Sequence, residues 1–479
     1  MTSNRGSTVV LKTRRSSLPS CVQDGLRLVV WIEPYVLPFV AIAPLFLPNP
    51  YRPVAAVVAI VFALLRWPVL GHVIRRTPLE WPIGLTIVGA IVGTLVSPVW
   101  DSSAEMLWGY MGAVALFYLI ATRRSDANLC SYMLWLVGGP VLVAMLVWGV
   151  SWAKDASSLA MLLTIGGLGG IERLFPHENL IGGQWTYHQV SRLFPSVGSW
   201  RTNPNDLAWL YVFAFPFLLG GTMRGRWITR LVWLLLAVGL AGVLALTGSR
   251  AGLLSLGAGA LGVLAARLRR PWLAIWLLIV PVALLAIGWL GLQSVPWLAL
   301  PDASSLGRVD LWHTSFYMVQ DFLFTGVGLG AWPIANQLLY GGDPTIANPH
   351  NMFLQTYLDL GPLGLIGLLW TVLWGLRVAF TPAEGESGVR AWIRLGLAGA
   401  WLALVVRGSF EATTTAVWSD GTTYHGIVAP THWILAGLSA VLADRVHISQ
   451  SPYPSSKEQS PAPASQTEQL VARPSSARG

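Results

Sequence analysis

The chain has 479 residues, of which 54% are hydrophobic and only 11% charged, against roughly 45–50% and roughly 25% in an ordinary soluble domain. That balance excludes a water-soluble globular enzyme and predicts an all-α, polytopic integral membrane protein; the 25 Trp and 49 Gly agree, because Trp collects at membrane interfaces and Gly is accepted between packed membrane helices. The net charge of +9 would suggest nucleic acid for a soluble protein, but in a membrane protein it reports orientation first, and no nucleic-acid partner is expected.

Residues 1–27 are polar, with Arg5, Lys12, Arg14 and Arg15. No small-residue cleavage site follows a short apolar core, so the segment reads as a cytoplasmic N-terminal stretch and not a removable signal. A membrane-crossing helix needs about 20 mostly apolar residues. Segments of that kind run near 28–48, 54–70, 82–99, 105–122, 129–152, 205–221, 230–247, 251–266, 272–292, 353–376, 391–406 and 427–443. They predict a membrane domain over 28–443 with about twelve spans, counted from these segments by length. Glu33, in the first of them, reads as an interfacial carboxylate.

Two long connections, about 153–204 and 293–352, are the only ones large enough to build a site, the second lying between the ninth and tenth spans. With the N-terminus inside, most basic residues fall on the cytoplasmic side, and only Arg52, Lys154, Arg173, Arg192, Arg201, Arg250, Arg308 and Arg407 remain outside. The positive-inside rule therefore puts both termini in the cytoplasm. The apolar, glycine-rich stretch Leu159 to Ile171 is too short to span without inverting this pattern, so it reads as interfacial or re-entrant. Residues 444–479, rich in Pro and Ser, read as a disordered cytoplasmic tail. Cys21 and Cys130 lie far apart without a C-x-x-C neighbour, which implies neither a disulfide framework nor a zinc site.

Arginines left outside are the exceptions and the first place to look for function. Arg250 lies in the short connection Thr247-Gly248-Ser249-Arg250. From there to the inner Arg267 a helix would rise about 24 Å against a hydrocarbon thickness of about 30 Å, which sets the guanidinium slightly below the outer surface. A charge at that depth is usually functional. In the second long connection Arg308 opens an amphipathic stretch (Val309, Leu311, Trp312, Phe316, Met318), and His350 closes the connection at the mouth of the next span. Pro349 and Asn351 beside it suit a helix N-terminus. The intervening G-V-G-L-G of Gly326, Gly328 and Gly330 follows no strand and reads as flexible turns, not a nucleotide loop. Arg201, Arg407 and Glu411 are further outer charges able to hold sugar or phosphate, each read first as a solvated loop position.

Taken in order, SRAG (Ser249 to Gly252), GR-x-x-x-W (Gly307, Arg308, Trp312), G-x-G and P-H-N-x-x-L-Q (Pro349 to Gln355), with RTNPNDLA (Arg201 to Ala208) upstream, resemble the O-antigen ligase and polymerase superfamily. The resemblance covers about residues 195–376, a ligase-like core. It implies a bacterial inner-membrane glycosyltransferase acting on the extracytoplasmic face, with a polyprenyl (undecaprenyl) pyrophosphate-linked glycan as donor and a glycolipid or glycan hydroxyl as acceptor. By the family pattern Arg250 and Arg308 bind the pyrophosphate and His350 activates the acceptor, with inversion at the anomeric carbon and neither metal nor cofactor; Arg201, Asn205 and Asn351 are candidate substrate-binding residues. Bidentate guanidiniums suit a leaving pyrophosphate, and an imidazole suits proton removal near neutral pH. Departures from the pattern are Asp321-Phe322 where a Pro often follows the acid, and Asp359 where a Glu is common.

A transporter is the main alternative from another class, but it predicts matching halves with charges at the midplane, and the charges here crowd the outer ends. A peptidoglycan-type polymerase would carry a functional carboxylate in the outer loop, where arginine and histidine are conspicuous instead. A scaffold role has no motif in its favour. Within the superfamily, ligase, polymerase and protein O-glycosylating enzyme share the donor chemistry and differ in the acceptor. No soluble domain follows the last span, which disfavours the protein-glycosylating branch, and the ligase is the reading adopted.

Overall fold

The computed structural model describes residues 20–46, 52–70, 76–122, 126–152, 204–246, 249–290, 303–343, 346–382, 385–386, 388–412, 415–419 and 424–449. Its helices in chain order are α1 (Ser20–Phe46), α2 (Arg52–Leu70), α3 (Glu80–Val96), α4 (Trp100–Ala121), α5 (Asp126–Trp152), α6 (Pro204–Thr222), α7 (Trp227–Leu246) and α8 (Arg250–Arg267). There follow α9 (Trp272–Ile275), α10 (Ile279–Trp289), α11 (Ala303–Asp321), α12 (Trp332–Tyr340), α13 (Met352–Phe380), α14 (Gly388–Gly408) and α15 (Thr431–Ser449). Apolar runs make helices because a helix satisfies its own backbone groups where water is absent. Among the described residues, four helices are long and apolar enough to cross a membrane by length and composition (Trp100–Ala121, Trp227–Ala245, Met352–Phe380 and Gly388–Gly408), and six shorter apolar helices accompany them. Leu234, Leu235 and Val238 on α7, with Trp31, Trp81, Trp227 and Trp272, form an exposed apolar surface that suits lipid and not water. The protein is a membrane protein.

The expectation of an all-helical chain needs one correction. Strands β1 (Thr415–Ser419) and β2 (Tyr424–Val428) form an antiparallel hairpin with Thr415 opposite Val428. Val417, Ile427 and the aromatic Trp418 and Tyr424 favour extended backbone, so the segment read as a span from 427 begins as a strand and its helix starts at Thr431. That helix continues to Ser449, beyond the tail boundary read at 444.

Helix α14 is the centre of the bundle, buried almost without interruption from Gly396 to Gly408. Small residues bring its neighbours close. A Cβ on Gly262 of α8 would stand 2.7 Å from the Ala398 carbonyl oxygen, and one on Gly399 would stand 2.5 Å from that of Gly259. These pairs set α8 antiparallel to α14. Ala208 lies beside Gly252 and Pro216 beside Gly259, so α6 runs parallel to α8, while Met352 lies against Gly408. The N-termini of α6, α8 and α13 therefore gather around the C-terminus of α14.

Glu33 is wholly buried between helices, where it accepts hydrogen bonds from Arg66, one of them 2.6 Å from Nε. The same guanidinium also donates to the Leu119 carbonyl at 2.9 Å and to Thr122. The glycine turns at 326–330 are not loose. Val327 N and Gly328 N donate to the Leu358 carbonyl at 2.8 and 3.2 Å, and Leu329 N donates to that of Gly93 at 2.9 Å. Gly326 and Gly328 have φ of +68° and +108°, and a Cβ on Gly326 would stand 2.3 Å from the Leu358 oxygen, which explains glycine there by conformation and by space.

Candidate functional site

His350 occupies a constrained position at the entrance to α13. Asn351 is the helix N-cap: its Oδ1 accepts from Phe353 N and Leu354 N at 3.0 and 3.1 Å, while its Nδ2 donates to the Ser409 carbonyl at 3.2 Å. On the other side the Pro349 carbonyl accepts from Trp312 Nε1 at 2.9 Å, with the indole buried. Between these anchors His350 has φ of +50°, a left-handed conformation uncommon outside glycine, and its N–H donates to Asn348 Oδ1 at 2.9 Å. Such strain persists only where the surroundings over-determine it, and it clusters at functional sites.

Just past the end of α14, Glu411 bridges two of the sequence-predicted residues. Its Oε1 accepts from Arg308 Nη2 at 2.9 Å, and its Oε2 lies 2.8 Å from His350 Nδ1. Glu411 is buried, whereas Arg308 and His350 keep about a quarter to a third of their side chains exposed, at 26% and 31%. Burial alone would raise the Glu411 carboxyl, but the hydrogen bond and charge of His350 and the charges of Arg407 and Arg308 outweigh it and hold the group below the usual glutamate range. A carboxylate facing Nδ1 fixes the neutral ring with its proton on that atom, which leaves Nε2 as the basic nitrogen.

Arg250 is the first residue of α8, behind an N-cap in which Ser249 Oγ accepts from Gly252 N at 3.2 Å. It is exposed. The antiparallel register that pairs Gly259 and Gly262 with Gly399 and Ala398 carries Arg250 to the level of Gly408 to Phe410, where α14 ends. Asn205 lies in the first turn of α6, whose N-terminal end adjoins that of α8. Helix N-termini carry partial positive charge and unpaired N–H groups, so an end where three of them gather favours an anion.

The structure thus joins Arg308 and His350 through Glu411 and brings Arg250 to the same end of the bundle. Arg201 and the stretch Leu159 to Ile171 lie outside the described residues. Asn351 is buried with its polar atoms engaged on the α13 cap and on Ser409, so it shapes the site. Arg407 and Glu411 are corrected from solvated loop charges to buried ones. The signal for Glu411 was its rarity: the chain has only 22 acids, and this one follows a predicted span on the side where the unusual arginines lie. Among the described residues no group of three or more His, Cys, Asp and Glu side chains could hold a metal ion.

Comparison with known families agrees with the motifs. Residues 235–369 match the O-antigen ligase family model. The matched stretch contains Arg250, Arg308 and His350, and it supports the O-antigen ligase/polymerase superfamily, a family of membrane glycosyltransferase-like ligases and polymerases acting on lipid-linked glycans. Glu411 lies beyond the match. No curated protein matches the chain.

Proposed function

We propose that the protein is an O-antigen ligase-type glycosyltransferase, which moves a glycan from polyprenyl pyrophosphate to an acceptor hydroxyl on the extracytoplasmic face of the bacterial inner membrane. The observation that carries this reading is the bridge Arg308–Glu411–His350, exposed on one side, with Arg250 at the same end of the bundle. His350 Nε2 takes the proton of the acceptor hydroxyl. The freed oxygen attacks the anomeric carbon, the bond from that carbon to the phosphate oxygen breaks, and the configuration inverts in a single displacement. Glu411 holds the imidazole in register and stabilises the imidazolium that forms, while Arg250 and Arg308 meet the negative charge gathering on the departing pyrophosphate. Arg308 uses Nη2 on Glu411, and its planar fork has further donors for an oxyanion. Charge neutralisation by two guanidiniums gives the reaction a route that needs no metal.

In this reading the twelve apolar segments span the bilayer, both termini lie in the cytoplasm, and residues 153–204 and 293–352 face outside with Arg201 and Asn205 near the donor. A Ser305→Cys variant should label with an impermeant thiol reagent from outside, and Lys457→Cys only after permeabilisation. The reverse pattern would remove the site from the proposed side.

The deciding assay uses purified protein, a polyprenyl-pyrophosphate glycan and a lipid-core acceptor, with and without His350→Ala. Transfer that needs the acceptor and disappears with His350→Ala supports the ligase. Chain extension without the acceptor makes the protein a polymerase of the same superfamily, and no release of polyprenyl pyrophosphate under either condition returns the transporter. Activity that vanishes with EDTA and returns with a divalent cation would overturn the metal-free route.

A further inference from the structure

We infer that Asp359 is a positioning residue for the proposed transfer: together with Asn351 it clamps both ends of the segment that carries Glu411, and so holds Glu411 against His350 and Arg308. The inference rests on the reading above. Asn351, Gln355 and Asp359 recur every four residues on α13 and so share one face, covering about 12 Å of its length. At the upper position Asn351 Nδ2 donates to the Ser409 carbonyl at 3.2 Å; at the lower, Asp359 Oδ2 accepts from Thr415 Oγ1 at 2.7 Å. Glu411 stands between Ser409 and Thr415 in the chain, so α13 fixes the backbone on both sides of it.

The mount extends beyond the hairpin. Asp359 Oδ2 also accepts from Gln355 Nε2 at 2.8 Å, and Oδ1 accepts from Gly330 N at 3.1 Å. Gly330 ends the glycine turns that lead into α12, and those turns are themselves bonded to Leu358 and Gly93. One carboxylate thus joins α13, the turns after α11, and the first residue of β1. Asp359, Gln355 and Thr415 are all fully or almost fully buried. A carboxylate is costly to bury, and an apolar residue would pack the same volume more favourably. What the carboxylate provides is direction, since it accepts only, and each donor must be brought to a fixed place around it.

The test uses the full chain in lipid nanodiscs, with turnover expressed per folded molecule and read by polyprenyl pyrophosphate release. Thr415→Val removes one hydroxyl at nearly constant shape, and Asp359→Asn removes the charge. Each should lower kcat, by up to the order of 100-fold expected for a displaced catalytic group; Thr415→Ser, which keeps the hydroxyl, should restore it. In a Glu411→Gln background Thr415→Val should cost nothing more, because both act through one group. A second readout needs no turnover: the Nδ1–H signal of His350 in 15N-histidine spectra, assigned by its loss in His350→Gln, should shift or broaden in Thr415→Val. Wild-type kcat per folded molecule in both variants, or losses that add to that of Glu411→Gln, would overturn the inference. If Glu411→Gln itself keeps full turnover, the transferase role of Glu411 fails separately. In that case a changed His350 signal upholds the clamp, and an unchanged one removes it.

Discussion

Three buried arginines at one end of the bundle and the two site arginines Arg250 and Arg308 at the other stand in opposite circumstances. At one end, Arg394 donates to both Glu386 carboxylate oxygens and to the Val378 and Thr381 carbonyls, and Arg66 likewise meets Glu33, Leu119 and Thr122. Arg390 completes that end against Asp126 at 3.0 Å. All three guanidiniums are buried. At the other end Arg250 is exposed, and Arg308 keeps a quarter of its side chain open while one of its nitrogens is held by Glu411. Saturated, buried donors fasten helices together; donors aimed and held but left open can meet a ligand. Residue type is therefore a poor guide to role in this chain, and the surroundings of each cation decide it.

Substitution at the open end should break chemistry without breaking the fold. His350→Ala should lower turnover by roughly 10²–10⁴-fold, the usual contribution of a positioned general base. Arg250→Lys should cost about 10²–10³-fold, because a point charge does not reproduce a planar fork against an oxyanion; full activity in the lysine variant would separate Arg250 from the pyrophosphate. At the saturated end the order reverses. Arg66→Met leaves Glu33 buried without its partner and should destabilise the protein by about 3–5 kcal/mol, seen as a lower unfolding temperature in detergent, while turnover per folded molecule is retained. A loss of turnover with unchanged stability would merge the two classes of arginine.

What was legible in the sequence follows the same division. Apolar runs mark the helices because lipid permits few other backbone solutions, and outer arginines beside a histidine mark the site because charge there is costly. Glu411 was harder to see, since its partners Arg308 and His350 are far away in the chain and only the packing of α13 against α14 brings them together. The pairing of Glu33 was hidden for a related reason: its partner, Arg66, lies on the next helix. The glycine turns were misjudged because composition alone does not distinguish a loose loop from one where a Cβ would collide with the Leu358 carbonyl. The hairpin was hidden by its neighbour, because β2 runs almost directly into the apolar sequence of α15.

Helix packing is the next place to sharpen the comparison, at smaller cost. Gly262→Val puts side-chain atoms where even a Cβ would stand 2.7 Å from the Ala398 oxygen, and overpacking of this kind costs about 1–3 kcal/mol. Because the same helix pair carries Arg250 to the end of α14 next to Glu411 in the chain, the variant should also weaken donor binding, raising KM. A destabilised variant with unaltered KM would show that Arg250 is placed by its own loop and not by the α8–α14 register.

The smallest expected effect is the dependence of stability on pH at Glu411. Its folded carboxyl sits below its ordinary value of 4.5, so the folded state binds the proton less tightly than the unfolded one does. A group depressed in this way contributes its full stability above the unfolded value and loses it as the pH falls through the folded one. Between pH 8 and 5 the wild type and Glu411→Gln should therefore differ in unfolding temperature by a constant amount, and the gap should close only in more acidic solution. A gap that instead widens as the pH falls through the neutral range would trace the stabilisation to the charged imidazole of His350, and the carboxylate would then be steadied by His350 more than it steadies it.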